Sequence, residues 1–200
     1  TELLLNVQTN FPIQGNNGWI FGGYSNSVCS NVDKITCASS TTAAQTTANL
    51  SQVRYGIAGV ASRVKGYING GNSAIDTFVD TSDKITFSTE VTAVTATAKL
   101  STVRAFLSGV TEGLTKGYFQ GGSSTAGSNA VATGDKVTYA TDTTAASTTS
   151  NLSAASYYTT GMNGGVSKGY NAGGTTGVVI QTRADKITFS TDASAACTTA

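Results

Sequence analysis

Hydrophobic and polar residues alternate along this chain in short runs, and no segment sustains the 3.6-residue apolar period of an amphipathic helix. Val, Ile, Thr, Tyr and Phe fill the runs, while Gly, Ser, Asn and Asp separate them, which is the grammar of short strands joined by turns. The pattern predicts an all-β chain with almost no helix. Around the second module it places strands at 53–60, 65–70, 84–88 and 93–99. The Thr- and Ala-rich stretch 141–150 is read as strand and turn, because β-branched Thr at that density disfavours helix.

The runs recur in register. Asp-Lys followed by a β-rich run appears as Asp33-Lys34-Ile35-Thr36-Cys37, Asp83-Lys84-Ile85-Thr86-Phe87, Asp135-Lys136-Val137-Thr138-Tyr139 and Asp185-Lys186-Ile187-Thr188-Phe189, at spacings of 50, 52 and 50 residues. Ahead of each stands a glycine-aromatic strand ending in Gly-Gly, with Trp19, Tyr67, Tyr118 and Tyr170 at one equivalent position. Leu50, Leu100 and Leu152 precede a further strand, headed by Arg54 and Arg104 in two modules and by Ser156 in the last. Seven residues after the module Asp comes a turn residue, which is Ser40, Glu90, Asp142 or Asp192. The array predicts one domain over 1–200 with modules at about 3–49, 50–99, 100–151 and 152–200.

A Gly-Gly-ended strand, a strand running into an acidic turn, then a leucine and an Arg-led strand together resemble the kelch repeat. The resemblance covers nearly the whole chain in four copies. It departs from the common form in lacking the usual fourth-strand Trp, in Thr-rich outer strands and in module number. It implies a β-propeller of four four-stranded blades, and it implies no single function. The physics of the repeat points the same way: a four-stranded sheet of this length needs a neighbour on each face. The rings at Trp19, Tyr67, Tyr118 and Tyr170, and the module acids Asp33, Asp83, Asp135 and Asp185, are therefore expected to serve the repeat; a stacking platform for sugars is the alternative for any exposed ring. Nearly a whole number of modules fits a closed ring, with 3–8 beside the last module, or a subset of blades in a larger assembly.

Composition narrows the function. Thr (34), Ser (22) and Gly (23) make up about two-fifths of 200 residues, charged residues only 12%, and the net charge is +1. That balance lacks the basic footprint of a nucleic-acid binder. No apolar run reaches membrane-spanning length, so no membrane span is expected. The absence of His excludes Ser-His-Asp and Cys-His catalysis and His-ligated metals. Asp76, Asp80 and Asp83 form the densest acidic cluster but lack calcium-loop spacing, so no metal and no cofactor are expected. Cys29 and Cys37 could bridge or could be small buried hydrophobes, with Cys197 unpaired.

The four connections between Gly-Gly and Asp-Lys, at 24–32, 72–82, 123–134 and 175–184, are the least alike parts of the modules. Loops on a rigid scaffold are where recognition usually resides, so Ile75, Phe78, Val131, Val178, Val179 and Ile180 are the candidate contacts. The Thr/Ser/Gly-rich, charge-poor surface suits a non-enzymatic structural or adhesive module, extracellular or on a virus particle, meeting other protein subunits and forming part of an oligomer. A lectin binding glycans is the alternative reading, and a propeller hydrolase or lyase the second alternative.

Overall fold

The computed structural model describes residues 17–125 and 129–197. It is all-β, with 49% strand and 5% helix in five antiparallel sheets. The first sheet joins β1 (Asn17–Ser25), β2 (Ser27–Thr36) and β3 (Thr41–Ala44). The second orders β4 (Ala58–Ala61), β5 (Lys65–Asn69), β8 (Ser82–Thr86) and β9 (Val91–Val94), with a small hairpin of β6 (Asn72–Ala74) and β7 (Thr77–Phe78) inserted in its loop. The third holds β10 (Ser108–Thr111), β11 (Lys116–Gln120), β12 (Gly134–Thr138) and β13 (Thr143–Ala146). The fourth holds β14 (Thr160–Asn163), β15 (Lys168–Ala172), β16 (Ala184–Thr188) and β17 (Ala193–Ala196).

Register repeats from sheet to sheet. Tyr67 faces Lys84, Tyr118 faces Lys136 and Tyr170 faces Lys186 across their strand pairs, as Trp19 faces Lys34 in the first. Two of the expected strands end elsewhere. Residues 53–57 form a linker with one bridge, Tyr55 to Asn72, and the strand begins at Ala58. The fourth strand stops at Val94 and passes into a 3-10 turn at Ala96–Ala98, repeated at Thr46–Ala48 and Thr148–Ser150. Ala48, Ala98 and Ser150 are buried there, so packing of a small side chain curls the chain where propensity alone suggested continued strand.

The core lies between sheets. The glycine-aromatic strands of the first three sheets send their rings forward onto the aromatic ending the Asp-Lys run of the next sheet. Trp19 stacks on Phe87 at 6.3 Å, Tyr67 on Tyr139 at 5.6 Å and Tyr118 on Phe189 at 5.9 Å, all within 10° of parallel. Leu50, Ile68 and Ile85 fill the first interface, Leu100, Phe119 and Val137 the second, and Val110 and Ile187 the third. The strands β4, β10 and β14 run so close that a Cβ on Gly109 would enter the carbonyl of Gly59, and one on Gly161 the carbonyl of Gly109. Gly70 is held at φ +69°, and a Cβ there would lie 2.5 Å from the carbonyl oxygen of Arg104, so side chains are excluded there twice over.

The charged repeat residues also serve these interfaces. Arg54 pairs with Asp83 and Arg104 lies 2.8 Å from Asp135, every side chain in both pairs fully buried. Asp83, Asp135 and Asp185 each accept a bond from the amide after the module leucine, from Ser51, Ser101 and Ser153 at 3.2, 3.3 and 3.2 Å. Asp33 is exposed. In the last module, where Ser156 stands in place of the arginine, Arg183 reaches Asp185 at 3.0 Å and donates to Ser156 Oγ at 3.1 Å. The cation has moved from the linker after the leucine to the residue just ahead of β16, while its carboxylate stayed.

The turn acids face backwards. Asp142 accepts from Lys65, from Tyr67 and, at 2.7 Å, from Lys84, all in the preceding module. Asp192 accepts from Lys116 (2.6 Å), Tyr118 (2.5 Å) and Lys136 (2.8 Å). Glu90 accepts from Lys34 and, at 2.7 Å, from Gln45. These residues and Ser40 sit at φ between 54° and 57°, so one residue makes the turn and clamps its neighbour. Partial burial opposes the charged carboxylates of Asp142 and Asp192, yet the lysine and tyrosine donors outweigh it and hold both well below the ordinary range. The cysteines are all free: Cys29 is half-buried and donates to the Gly23 carbonyl at 3.5 Å, while Cys37 and Cys197 are exposed. The expected alternatives for them, a bridge or buried hydrophobes, both fail at Cys37.

Candidate binding face

The linker after each module leucine carries aromatic residues that β-strand alternation does not single out. Tyr55, Phe106, Tyr157 and Tyr158 stand five or six positions after Leu50, Leu100 and Leu152. With Tyr24 from the first hairpin they form a continuous row. Ring centroids lie 5.4 Å apart from Tyr24 to Tyr55, 5.8 Å from Tyr55 to Phe106, 6.4 Å from Phe106 to Tyr157 and 4.5 Å from Phe106 to Tyr158. Such spacings are those of interacting aromatic pairs. Tyr24 and Tyr158 are exposed, and the others are half-buried.

Backbone strain marks the row. Phe106 adopts φ +58° and Tyr158 φ +57°, at the position where the second module has Gly56 at φ +65°. The Phe106 amide donates to the Gly56 carbonyl at 2.6 Å and the Tyr158 amide to the Phe106 carbonyl at 2.9 Å, so the three left-handed residues are tied across successive linkers. A bulky residue in that region costs of order 1–3 kcal/mol and persists where its surroundings impose it. Just past the row, Ile57, Leu107 and Thr159 line a shallow groove floored by Gly59, Gly109 and Gly161.

The loops attach at the same end. Tyr55 bridges Asn72, Ala105 bridges Ser123 and Tyr157 bridges Thr175, each tying a linker to the start of a connecting loop. Of the loop residues expected to make contacts, Val178 (94%), Ile180 (80%), Ile75 (73%) and Val179 (56%) are exposed. Phe78 and Val131 differ: both are half-buried, Phe78 in β7 and Val131 with its amide bonded to the Gly122 carbonyl at 2.9 Å. Trp19, Tyr67 and Tyr118 are not among the exposed rings, because the next sheet covers them; the surface aromatics are the linker set instead. The signal for it was present in the fixed offset from the module leucine.

The acidic cluster separates in space by function. Asp83 is buried on Arg54, Asp80 pairs with Lys99 at 3.3 Å, and Asp76 makes a left-handed turn at φ +59°. Among the described residues no group of three or more metal-ligating side chains gathers. No described helix is long and apolar enough to cross a membrane. Compared with protein-family models and with curated proteins, the chain matches none.

Proposed function

We propose that this chain is a non-enzymatic structural or adhesive binding module of an extracellular or virus-particle surface, built as kelch-like four-stranded blades that stack as in a β-propeller and acting as a subunit among others. The observation that carries the reading is the strained aromatic row of Tyr24, Tyr55, Phe106, Tyr157 and Tyr158, flanked by Ile75 and by the exposed run Val178, Val179 and Ile180. Exposed apolar and aromatic groups gathered at one end of a rigid stack are what a protein contact uses. The Thr/Ser/Gly-rich composition with 12% charge supports the placement outside the cell or on a particle.

Half-exposed rings beside amide and hydroxyl groups, such as Tyr55 OH accepting from Asn72 Nδ2 at 3.2 Å, support a carbohydrate-binding lectin as the second reading. One pair of variants separates the two. Val178→Ser with Val179→Ser and Ile180→Ser removes the apolar tip, while Tyr24→Ala removes a ring of the row. If protein contact is the function, the loop variant loses co-assembly with surface subunits and no glycan on an array is bound. Glycan binding that survives the loop variant and falls with Tyr24→Ala makes the lectin reading the correct one.

A further inference from the structure

Ring, lysine and double glycine recur from sheet to sheet, but the buried residues between ring and glycines do not. Tyr67 is followed by Ile68-Asn69, Tyr118 by Phe119-Gln120 and Tyr170 by Asn171-Ala172. The first of each pair lies across from the module acid, Ile68 from Asp83, Phe119 from Asp135 and Asn171 from Asp185, and it faces the preceding sheet. Ile68 packs there with Phe21, Phe119 with Tyr67, and Asn171 bonds to Gln120. Strand alternation turns the second residue of the pair the other way, onto the following sheet. The first interface thus sets Phe21 against Ile68, the second Asn69 against Phe119 and the third Gln120 against Asn171.

Only the third pairing is polar on both sides, and there every amide atom is used. Gln120 is fully buried; its Oε1 accepts from Asn171 Nδ2, and its Nε2 donates to the Ser150 carbonyl and, at 2.7 Å, to Ser194 Oγ. Asn171 Oδ1 accepts in turn from Ser108 Oγ, and both residues are 3% exposed. The second interface is less well matched. Asn69, one methylene shorter than Gln120, donates to the Ala98 carbonyl at 2.7 Å, and its Oδ1 has no hydrogen-bond partner among the described residues. Neither has Thr144 Oγ1, which holds the place of Ser194, nor Thr92 Oγ1 at the same place in the first interface. A buried polar group is costly unless it is bonded, so each face is selective for the residue it meets.

The remainder of the face cannot discriminate. The second sheet offers Val60, Tyr67, Lys65 and Lys84, and the third offers Val110, Tyr118, Lys116 and Lys136. Sheets this alike are prone to dock out of order, within one chain or between two copies that exchange modules. The buried pair opposes both errors. On the second sheet, Asn171 would meet Asn69 and Ala58 in place of Gln120 and Ser108, and its Oδ1 would lose the hydroxyl donor. The third sheet of a second copy, brought onto the third sheet of the first, would set Phe119 against Gln120 and leave Oε1 without a donor. We propose that the Ser108, Asn171, Gln120 and Ser194 network is an address, which selects the fourth sheet as the neighbour of the third and rejects the corresponding faces of other modules and other copies. It shares no residue with the aromatic row or the loops, so it stands whatever binds there.

The test separates selection from stability. Gln120→Phe with Asn171→Ile gives the third interface the apolar pair of the first. Replacing matched buried polar groups by apolar ones often leaves stability unchanged or raised, so the urea midpoint of the paired variant is expected at or above that of the unaltered chain. Refolded from urea at high concentration, the variant should nonetheless give more exchanged dimers and larger species, read by native mass spectrometry and sedimentation as forms that persist on dilution. The expected rise over the unaltered chain refolded alongside is about tenfold, the ratio that one unsatisfied buried polar group sets. Val137→Ala, which lowers the midpoint by truncating a buried apolar side chain of the second interface, should leave the distribution unchanged. The same distribution for the paired variant and the unaltered chain overturns the proposal, as does an equal rise in Val137→Ala. Should the paired variant fail to refold, Ser108→Ala decides instead, since it removes the donor to Asn171 and restores the residue that the second sheet has at that place. It is expected to raise the share of persistent dimers above that of Val137→Ala, and equal shares overturn the proposal.

Discussion

Tyr118 and Tyr170 hold the same place in their strands and meet opposite surroundings. The first is fully buried against Phe189 with its hydroxyl on Asp192, so Tyr118→Ala is expected to cost about 3–5 kcal/mol in urea melts. Tyr170→Ala should cost below about 1 kcal/mol, because among the described residues no sheet closes on that half-buried ring and little cavity is created. Arginine shows the same dependence on surroundings. Arg104→Ala strands a fully buried Asp135 and is expected to cost about 3–5 kcal/mol, whereas Arg183→Ala, at a partly exposed pair, costs less. Adding Ser156→Arg to Arg183→Ala should restore part of the loss by returning the cation to its position in the other modules; no recovery in the double variant would show that the two sites are not interchangeable. Burial, with the Asp142 carboxylate beside Tyr67 and that of Asp192 beside Tyr118, pushes those phenols far up, and burial, helped by the Glu112 charge and outweighing a Thr111 hydrogen bond, does so for Tyr139. Absorbance titration at alkaline pH should find these three silent until the chain unfolds.

Between elements, contact distance and charge set the tolerances. A methyl on Gly109 meets the Gly59 backbone, which is itself fixed in β4, so Gly109→Ala is expected to destabilise by about 1–3 kcal/mol or more, and Gly161→Ala similarly. The carboxylate clamps add an acid dependence of definite sign. Asp142 and Asp192 have pKa values depressed in the folded state, so they stabilise it fully above the ordinary carboxylate value near ~4. That contribution is lost as pH falls from about 4 toward the lowered values, where the folded state too takes up the protons. Urea midpoints measured from pH 5 to 2 should fall, and the Asp142→Asn, Asp192→Asn double variant should show a shallower fall. A slope unchanged by the substitutions would mean that other carboxylates carry the acid sensitivity.

Across the whole molecule, stability is shared between neighbours, as in other stacks of repeats. Among the described residues the second and third sheets are covered on both faces and the fourth on one, so native-state hydrogen exchange is expected to be slower in 116–120 than in 168–172. Equal protection in the two strands would require something covering the fourth face that the described residues do not supply.

Much of this architecture was legible in the residue order because period-2 alternation and turn residues act locally. The strands at 65–69, the β-rich runs after each Asp-Lys and the near absence of helix follow from which side chains fit a pleated surface and which break it. The place of the 3-10 turns did not follow, since burial of Ala48, Ala98 and Ser150 against another sheet decided it. Nor did the partial burial of Phe78 and Val131, or the aromatic row, whose rings meet only after the modules stack. The expected seat of 3–8 beside the last module lies outside the described residues. Sequence repetition by itself determined that every module makes the same offer of ring, lysine and glycine. Only the tertiary structure decided which offers are taken up, because an interface needs two faces, and among the described residues the rings of the first three sheets meet a following sheet while Tyr170 of the fourth does not.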